Sequence, residues 1–235
     1  MCTVSFVYSQ NQVIITSNRD EQHIRPALVP QTYKVNYKKL CFPKDPKAGG
    51  TWFAVDENAN VLVLLNGAAE KHHWNPPYRR SRGLIVLDLL GSASAIATWK
   101  TINLDQIEPH TMVLYQDQKL YQLRWNGTEK ETLELNPEQS YIWSSSTLYA
   151  PEIRQARREW FSQFLDTQPE VSAEEMFHFH RYTENQDLQN GLVINRNDAL
   201  QTLSITQAVV KQNKITLHHH DLQQQKDFYN TFIQL

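Results

Sequence analysis

The sequence predicts an α+β chain built mostly of antiparallel sheet. Short β-branched and apolar runs recur between turn-like residues, helical periodicity is confined to two stretches, and most strand candidates are joined by links that fit hairpins. The 235 residues suit one domain, taken as 1–235. Nine Phe, ten Tyr and six Trp within 40% apolar content can fill a sizeable core, which excludes wholesale disorder. A net charge of −2 gives no basic footprint for nucleic acid. Two cysteines exclude a disulfide scaffold and a four-cysteine zinc site. No apolar run approaches the ~20 residues of a membrane span.

Residues 3–8 (TVSFVY) and 12–17 (QVIITS) read as an opening hairpin across the polar turn 9–12. Asn18-Arg19-Asp20-Glu21 follows directly after the second strand, read either as polar residues returned to the start of the first strand or as a charged surface turn. The segment from there to Gly50 carries Pro26, Pro30, Pro43, Pro46 and many lysines, and is long enough to predict a functional flap or extended arm. Residues 51–56 and 60–65 form a second, more deeply buried hairpin ending in Asn66-Gly67. The spacing of Leu84, Leu87 and Leu90 predicts a helix over 79–91, and Ser92 or Ser94 caps a second one running to Trp99. Strands are predicted at 111–116, 119–125, 130–135 and 140–144.

Tyr149-Ala150-Pro151 opens a strong helix whose buried stripe includes Ile153, Ala156, Trp160, Phe161 and Phe164. Ser172 and Glu175 form a capping box for a helix over 172–181. Strands at 202–210 and 214–220 meet at Lys211-Gln212-Asn213, and the last fifteen residues suit a short helix. A four-layer sandwich, with two sheets inside and helices outside, fits this order. So does a simpler α+β domain, and pattern alone does not choose between them.

The start MCTVSFVYSQNQ lacks the basic residues and long apolar run of a secretory signal, so it reads as a strand and a cytoplasmic location is expected. Cys2 is the most informative residue. Removal of Met1 would give it both a thiol and a free α-amine, with ordinary pKa values of about 8.5 and 7.7–8.0. Nucleophile and base would then share one residue. The alternative is a small buried hydrophobe opening a strand. If the first two strands pair, Asn18, Arg19 and Asp20 return beside Cys2. A carboxylate there can hold the amine and thiol, and an arginine favours thiolate and an acidic substrate. Asn66, ending a buried strand, can donate to a developing oxyanion, and Gly67 lets a backbone N–H approach closely. Asn66-Gly67 can equally be an ordinary turn.

Taken together, Met1-Cys2-Thr3, Asn18-Arg19-Asp20-Glu21, Arg25-Pro26, Gly49-Gly50-Thr51-Trp52 and Leu65-Asn66 resemble the NRDE family, the transport and Golgi organisation 2 type. The strong blocks cover roughly residues 1–70. The resemblance implies a four-layer αββα sandwich of N-terminal nucleophile hydrolase type and distant kinship with bile-salt hydrolases and penicillin V acylases. It implies Cys2 as nucleophile, its α-amine as base, Asp20 as the positioning carboxylate and Asn66 as oxyanion donor. Asn18, Arg19 and Gly67 are placed with the substrate. Where many family members read Leu-Ser-Asn, this chain has Ser144-Ser145-Ser146, so a second Asn donor is missing.

Two functions follow as expectations. The first is a cysteine hydrolase acting on a non-peptide carbon–nitrogen (amide) bond or a related acyl substrate. The second is a non-catalytic binding or trafficking protein for a hydrophobic ligand such as haem or acyl-CoA, to which Tyr33, Tyr37, Trp74 and Tyr78 near the flap would contribute. Neither expectation includes a resident cofactor or metal. His218 and His220 share a strand face but lack a third ligand, and His178 and His180 are not at i, i+4. Arg79, Arg80 and Arg82 form a basic cluster suited to a carboxylate or phosphate of a substrate. Cys41 is expected to be incidental.

Overall fold

The computed structural model describes residues 3–168, 170–212 and 214–233. Cys2 lies outside the described residues, as does Asn213 of the expected 211–213 turn. Within them, β1 (Thr3–Ser9) and β2 (Gln12–Gln22) form the opening hairpin, turning on Gln10 and Asn11 with φ of 51° and 56°. Two positive φ values in a two-residue loop match the right-handed twist of the flanking strands. β3 (Leu28–Val35), β4 (Lys38–Lys44), β5 (Phe53–Asp56) and β6 (Val61–Asn66) follow, then α1 (Arg82–Leu90) and α2 (Ala95–Thr101). β7 (His110–Gln116), β8 (Lys119–Trp125), β9 (Lys130–Leu135) and β10 (Tyr141–Ser144) lead to α3 (Pro151–Thr167) and α4 (Ala173–Tyr182). The short β11 (Asn195–Arg196), then β12 (Leu200–Lys211), β13 (Lys214–Asp221) and β14 (Lys226–Ile233) end the described chain.

The strands form two seven-stranded sheets. One runs β10-β1-β2-β12-β13-β14, with β11 on β12, and the other runs β3 to β9 in chain order. Each neighbouring pair with a recorded register is antiparallel. Alternation along the strands builds two cores. Val4, Phe6, Val13 and Ile15 point at the second sheet, against Leu62, Leu64 and Met112. Val7 and Ile14 point the other way, under Phe161, Met176 and Phe179 of α3 and α4. Helices α1 and α2 cover the outer face of the second sheet. The result is a four-layer αββα sandwich.

Three expectations fail. The proline- and lysine-rich segment is not a flap: most of it forms the edge hairpin β3–β4, with Leu40, Cys41 and Phe42 buried. Pro30 is tolerated because it sits at a register shift in an edge strand, where a missing N–H costs little. The last fifteen residues contain an edge strand, β14, rather than a helix. Asn18-Arg19-Asp20-Glu21 is no surface turn, because β2 continues through it and Asn18, Arg19 and Asp20 are buried. Ser81 caps α1 and delays its start to Arg82, and the Ser172/Glu175 capping box of α4 forms as expected.

Candidate active site

The polar end of β2 is solved residue by residue, with successive side chains on opposite faces. Asn18 and Asp20 point toward the α3–α4 layer. Asn18 donates to the carbonyls of His180 (3.1 Å) and Leu192 (2.6 Å), so its Oδ1 accepts from His180 Nδ1 at 2.6 Å. That fixes the imidazole tautomer: Nε2 accepts from the Ser5 hydroxyl at 2.7 Å. Burial, with Arg157 nearby, pulls the His180 pKa down to about 3, so this relay is neutral. Asp20 receives the Tyr149 hydroxyl at 2.6 Å on one carboxylate oxygen and the Thr202 hydroxyl at 2.5 Å on the other. Arg157 lies 3.6 Å over the Tyr149 ring and reaches Thr3 Oγ1 and the carbonyls of Asn190 and Gly191. A buried cation is tolerable only when its donors are used in this way.

Arg19 points to the opposite face. Its guanidinium lies 4.5 Å over the Trp52 ring and donates to the Arg25 carbonyl at 2.9 Å. Arg19 and Trp52 line a cleft of about 210 Å³, together with Asn66, Arg82, Glu21 and Asp45. Arg25 spans Glu21 and Asp45 at its rim. Burial lowers the Arg82 pKa, opposed by Glu108, whose carboxylate lies 3.0 Å away. The floor closes where α1 begins: a Cβ on Gly50 would stand 2.3 Å from the Gly83 carbonyl carbon. A larger cavity, about 510 Å³, lies among the hairpin turns at the other end of the strands, near Tyr8 and Asn58, away from these residues.

Asn66 ends β6 and lines the cleft. Its carbonyl accepts from Ser145 Oγ at 2.8 Å, while its side-chain amide has no hydrogen-bond partner among the described residues. Gly67 has φ of +82°, and a Cβ there would meet Ser146 Oγ at 2.2 Å. Its N–H already donates to the Pro109 carbonyl at 3.1 Å. Gly67 therefore shapes the turn that presents Asn66, rather than offering the N–H expected of it.

The register pairs Thr3 with Asn18, so the start of β1 meets the polar end of β2. Of the expected site residues, the structure brings Arg19 and Asn66 to one cleft, with Asp20 on the reverse face of the same strand. Asn18 is locked in the layer behind. Sequence reading missed Tyr149, Thr202, Arg157 and His180. Only Tyr149, two residues before a helix-opening proline, carries any local signal. Of the Arg79, Arg80 and Arg82 cluster, only Arg82 reaches the cleft; Arg80 pairs with Asp88 and Arg79 binds carbonyls of the loop before β7. Tyr33, Tyr37, Trp74 and Tyr78 do not line it. Among the described residues, no group of three His, Cys, Asp or Glu could hold a metal ion, and no helix is long and apolar enough to cross a membrane.

A family model described as Transport and Golgi organisation 2 matches residues 1–232. No curated protein matches the sequence. Among solved structures, the fold is similar to a Caenorhabditis elegans N-acylethanolamine-hydrolyzing acid amidase ortholog (TM-score 0.62, 11% identity, 88% of this chain and 92% of that one). It is also similar to two variants of conjugated bile acid hydrolase from Clostridium perfringens. The arginine-to-leucine variant has a TM-score of 0.56 and 10% identity, over 97% of this chain and 92% of that one. The cysteine-to-alanine variant has a TM-score of 0.54 and 10% identity, over 99% and 96%.

Proposed function

The chain belongs to the Transport and Golgi organisation 2 family, and on that premise we propose that it is an N-terminal cysteine hydrolase of non-peptide amide or related acyl bonds. Cys2, freed by loss of Met1, attacks the substrate carbonyl carbon as thiolate, and its α-amine takes the thiol proton. The negative charge that develops on the carbonyl oxygen is met by the Asn66 side-chain amide. As the carbon–nitrogen bond breaks, the α-ammonium returns the proton to the leaving amine. Water, deprotonated by the same amine, then hydrolyses the thioester and restores the thiol.

Asp20 orients the amine from a carboxylate that Tyr149 and Thr202 hold from both sides. Asn18 positions the end of β2 through His180. Arg19 adds positive potential at the reacting end and favours a substrate with acidic character. The observation that carries this reading is the buried Asp20 carboxylate, doubly held at the end of β2 where the start of β1 returns. The cleft is lined by arginines and carboxylates beside Trp52 and Leu64, which suits a polar acyl compound better than a wholly apolar ligand. We place the reaction in the cytoplasm.

The test is turnover of a panel of acyl amides and thioesters by wild type and Cys2→Ala. Hydrolysis by the wild type and none by the variant is the expected result. Equal turnover by both removes Cys2 from the chemistry. Haem or acyl-CoA binding without wild-type turnover would instead establish a ligand carrier.

A further inference from the structure

Behind Asn66 lies a second, smaller cavity of about 70 Å³. Its lining includes Asn66 and Ser145 from the site end, Thr111 from β7, and three arginines from two elements: Arg124 on β8, and Arg154 and Arg158 on α3. No carboxylate lines it. The neighbouring acids are peripheral: Glu131 meets Arg124 Nη1 at 3.3 Å and is 56% exposed, and Glu70 lies 3.9 Å from Arg154 and is 84% exposed. Such rim pairs neutralise little.

The arginines are incompletely used. Arg154 donates to the Ala69 carbonyl, and Arg158 donates to Gln155 Oε1. The Nε atoms of Arg124 and Arg154 are buried without a hydrogen-bond partner. An unpartnered buried donor on a cation carries a desolvation cost that an anion would remove.

We propose that this cavity binds a compact oxyanion, a phosphate or phosphomonoester group, beside Asn66. Three guanidiniums line the cavity, that of the exposed Arg158 included, and they supply the charge and fork-shaped donors that match tetrahedral phosphate oxygens. Ser145 and Thr111 already donate their hydroxyls to the carbonyls of Asn66 and Gly67, so the arginines do the recognising. The volume is on the scale of a single phosphate group. Asn66 also lines the catalytic cleft, so an anion here sits one residue from the proposed reacting carbonyl. Its use as a substrate subsite rests on the hydrolase reading; the binding itself does not.

Calorimetric titration of the full chain with inorganic phosphate, at ionic strength held constant with chloride, tests the proposal apart from turnover. Phosphate should bind saturably, and Arg124→Gln and Arg158→Gln should each weaken it about tenfold or more, as expected for a lost charge-assisted hydrogen bond. Neither residue bonds the backbone through its guanidinium, so both variants should melt as the wild type does. Glycerol 3-phosphate gives the second arm: binding as tight as phosphate supports a phosphomonoester end, and phosphate alone supports the free anion. No saturable phosphate binding, or binding that both variants retain in full, overturns the proposal whether or not the protein hydrolyses amides.

Discussion

Asn66→Ala lowers kcat for acyl-amide hydrolysis by roughly 10²–10³-fold, the loss typical of a removed oxyanion donor, with KM little changed. The Asn66 amide makes no protein hydrogen bond among the described residues, so its removal leaves no buried group unpaired. The Asn66 carbonyl keeps the Ser145 hydroxyl, and Gly67 keeps its turn. The melting temperature should therefore stay at the wild-type value while turnover collapses. Steady-state kinetics and a thermal melt on the same preparation check both halves. A loss in turnover that tracks a loss of folded protein would assign Asn66 to the fold alone.

Acidification unfolds the protein between about pH 5.5 and 4. His110, His180 and His219 are buried, and burial pulls their pKa values down from 6.5 to about 4, about 3 and about 3. On His110 a hydrogen bond with the Glu108 backbone partly opposes burial and Arg82 adds to it, while Arg157 adds to burial on His180 and His218 on His219. A depressed folded pKa means that the unfolded chain binds protons the native chain refuses. The stability from these groups is complete above pH 6.5 and is lost as pH falls toward the folded values. At pH 4.5 each histidine forfeits roughly 2–3 kcal/mol, so the three together forfeit roughly 6–9 kcal/mol. That is comparable to the whole stability of a typical domain, roughly 5–15 kcal/mol. Far-UV circular dichroism against pH should show the transition, and the melting temperature should already fall between pH 6.5 and 5.5. A melting temperature flat from pH 7 to 5 would mean that these imidazoles accept protons in the folded state.

Much of the sandwich is legible because its strands and helices carry local signals: the continuous apolar run in 60–65, the Ser172/Glu175 box, proline at the start of α3. β14 was missed because an edge strand buries so little that its pattern thins to Phe228 and Phe232 among polar residues. The β3–β4 hairpin was hidden by lysines and prolines, the residues that edge strands accumulate. Asn18-Arg19-Asp20 looked like a turn because strand interiors rarely carry three polar side chains in a row. They remain in the strand because His180, Leu192, Tyr149 and Thr202, 129 to 182 residues distant, complete their hydrogen bonds or supply the partner groups. Arg157 sat in a stripe expected to be apolar. Its acceptors on Thr3, Asn190 and Gly191 come from elements that no local pattern links to it.

The account turns on Cys2 as an activated nucleophile with a free amine. Cys41 makes that directly measurable: it is fully buried, and burial pushes its thiol up to about 12 against a smaller opposing hydrogen bond from Thr32. It should be silent toward alkylation while the protein is folded. The decisive measurement is iodoacetamide labelling of the native protein at neutral pH, read by intact mass and peptide mapping. The account predicts a chain lacking Met1 that takes one rapid adduct, on Cys2, with Cys41 modified only after unfolding. A chain that retains Met1, or a Cys2 that reacts no faster than Cys41, contradicts it.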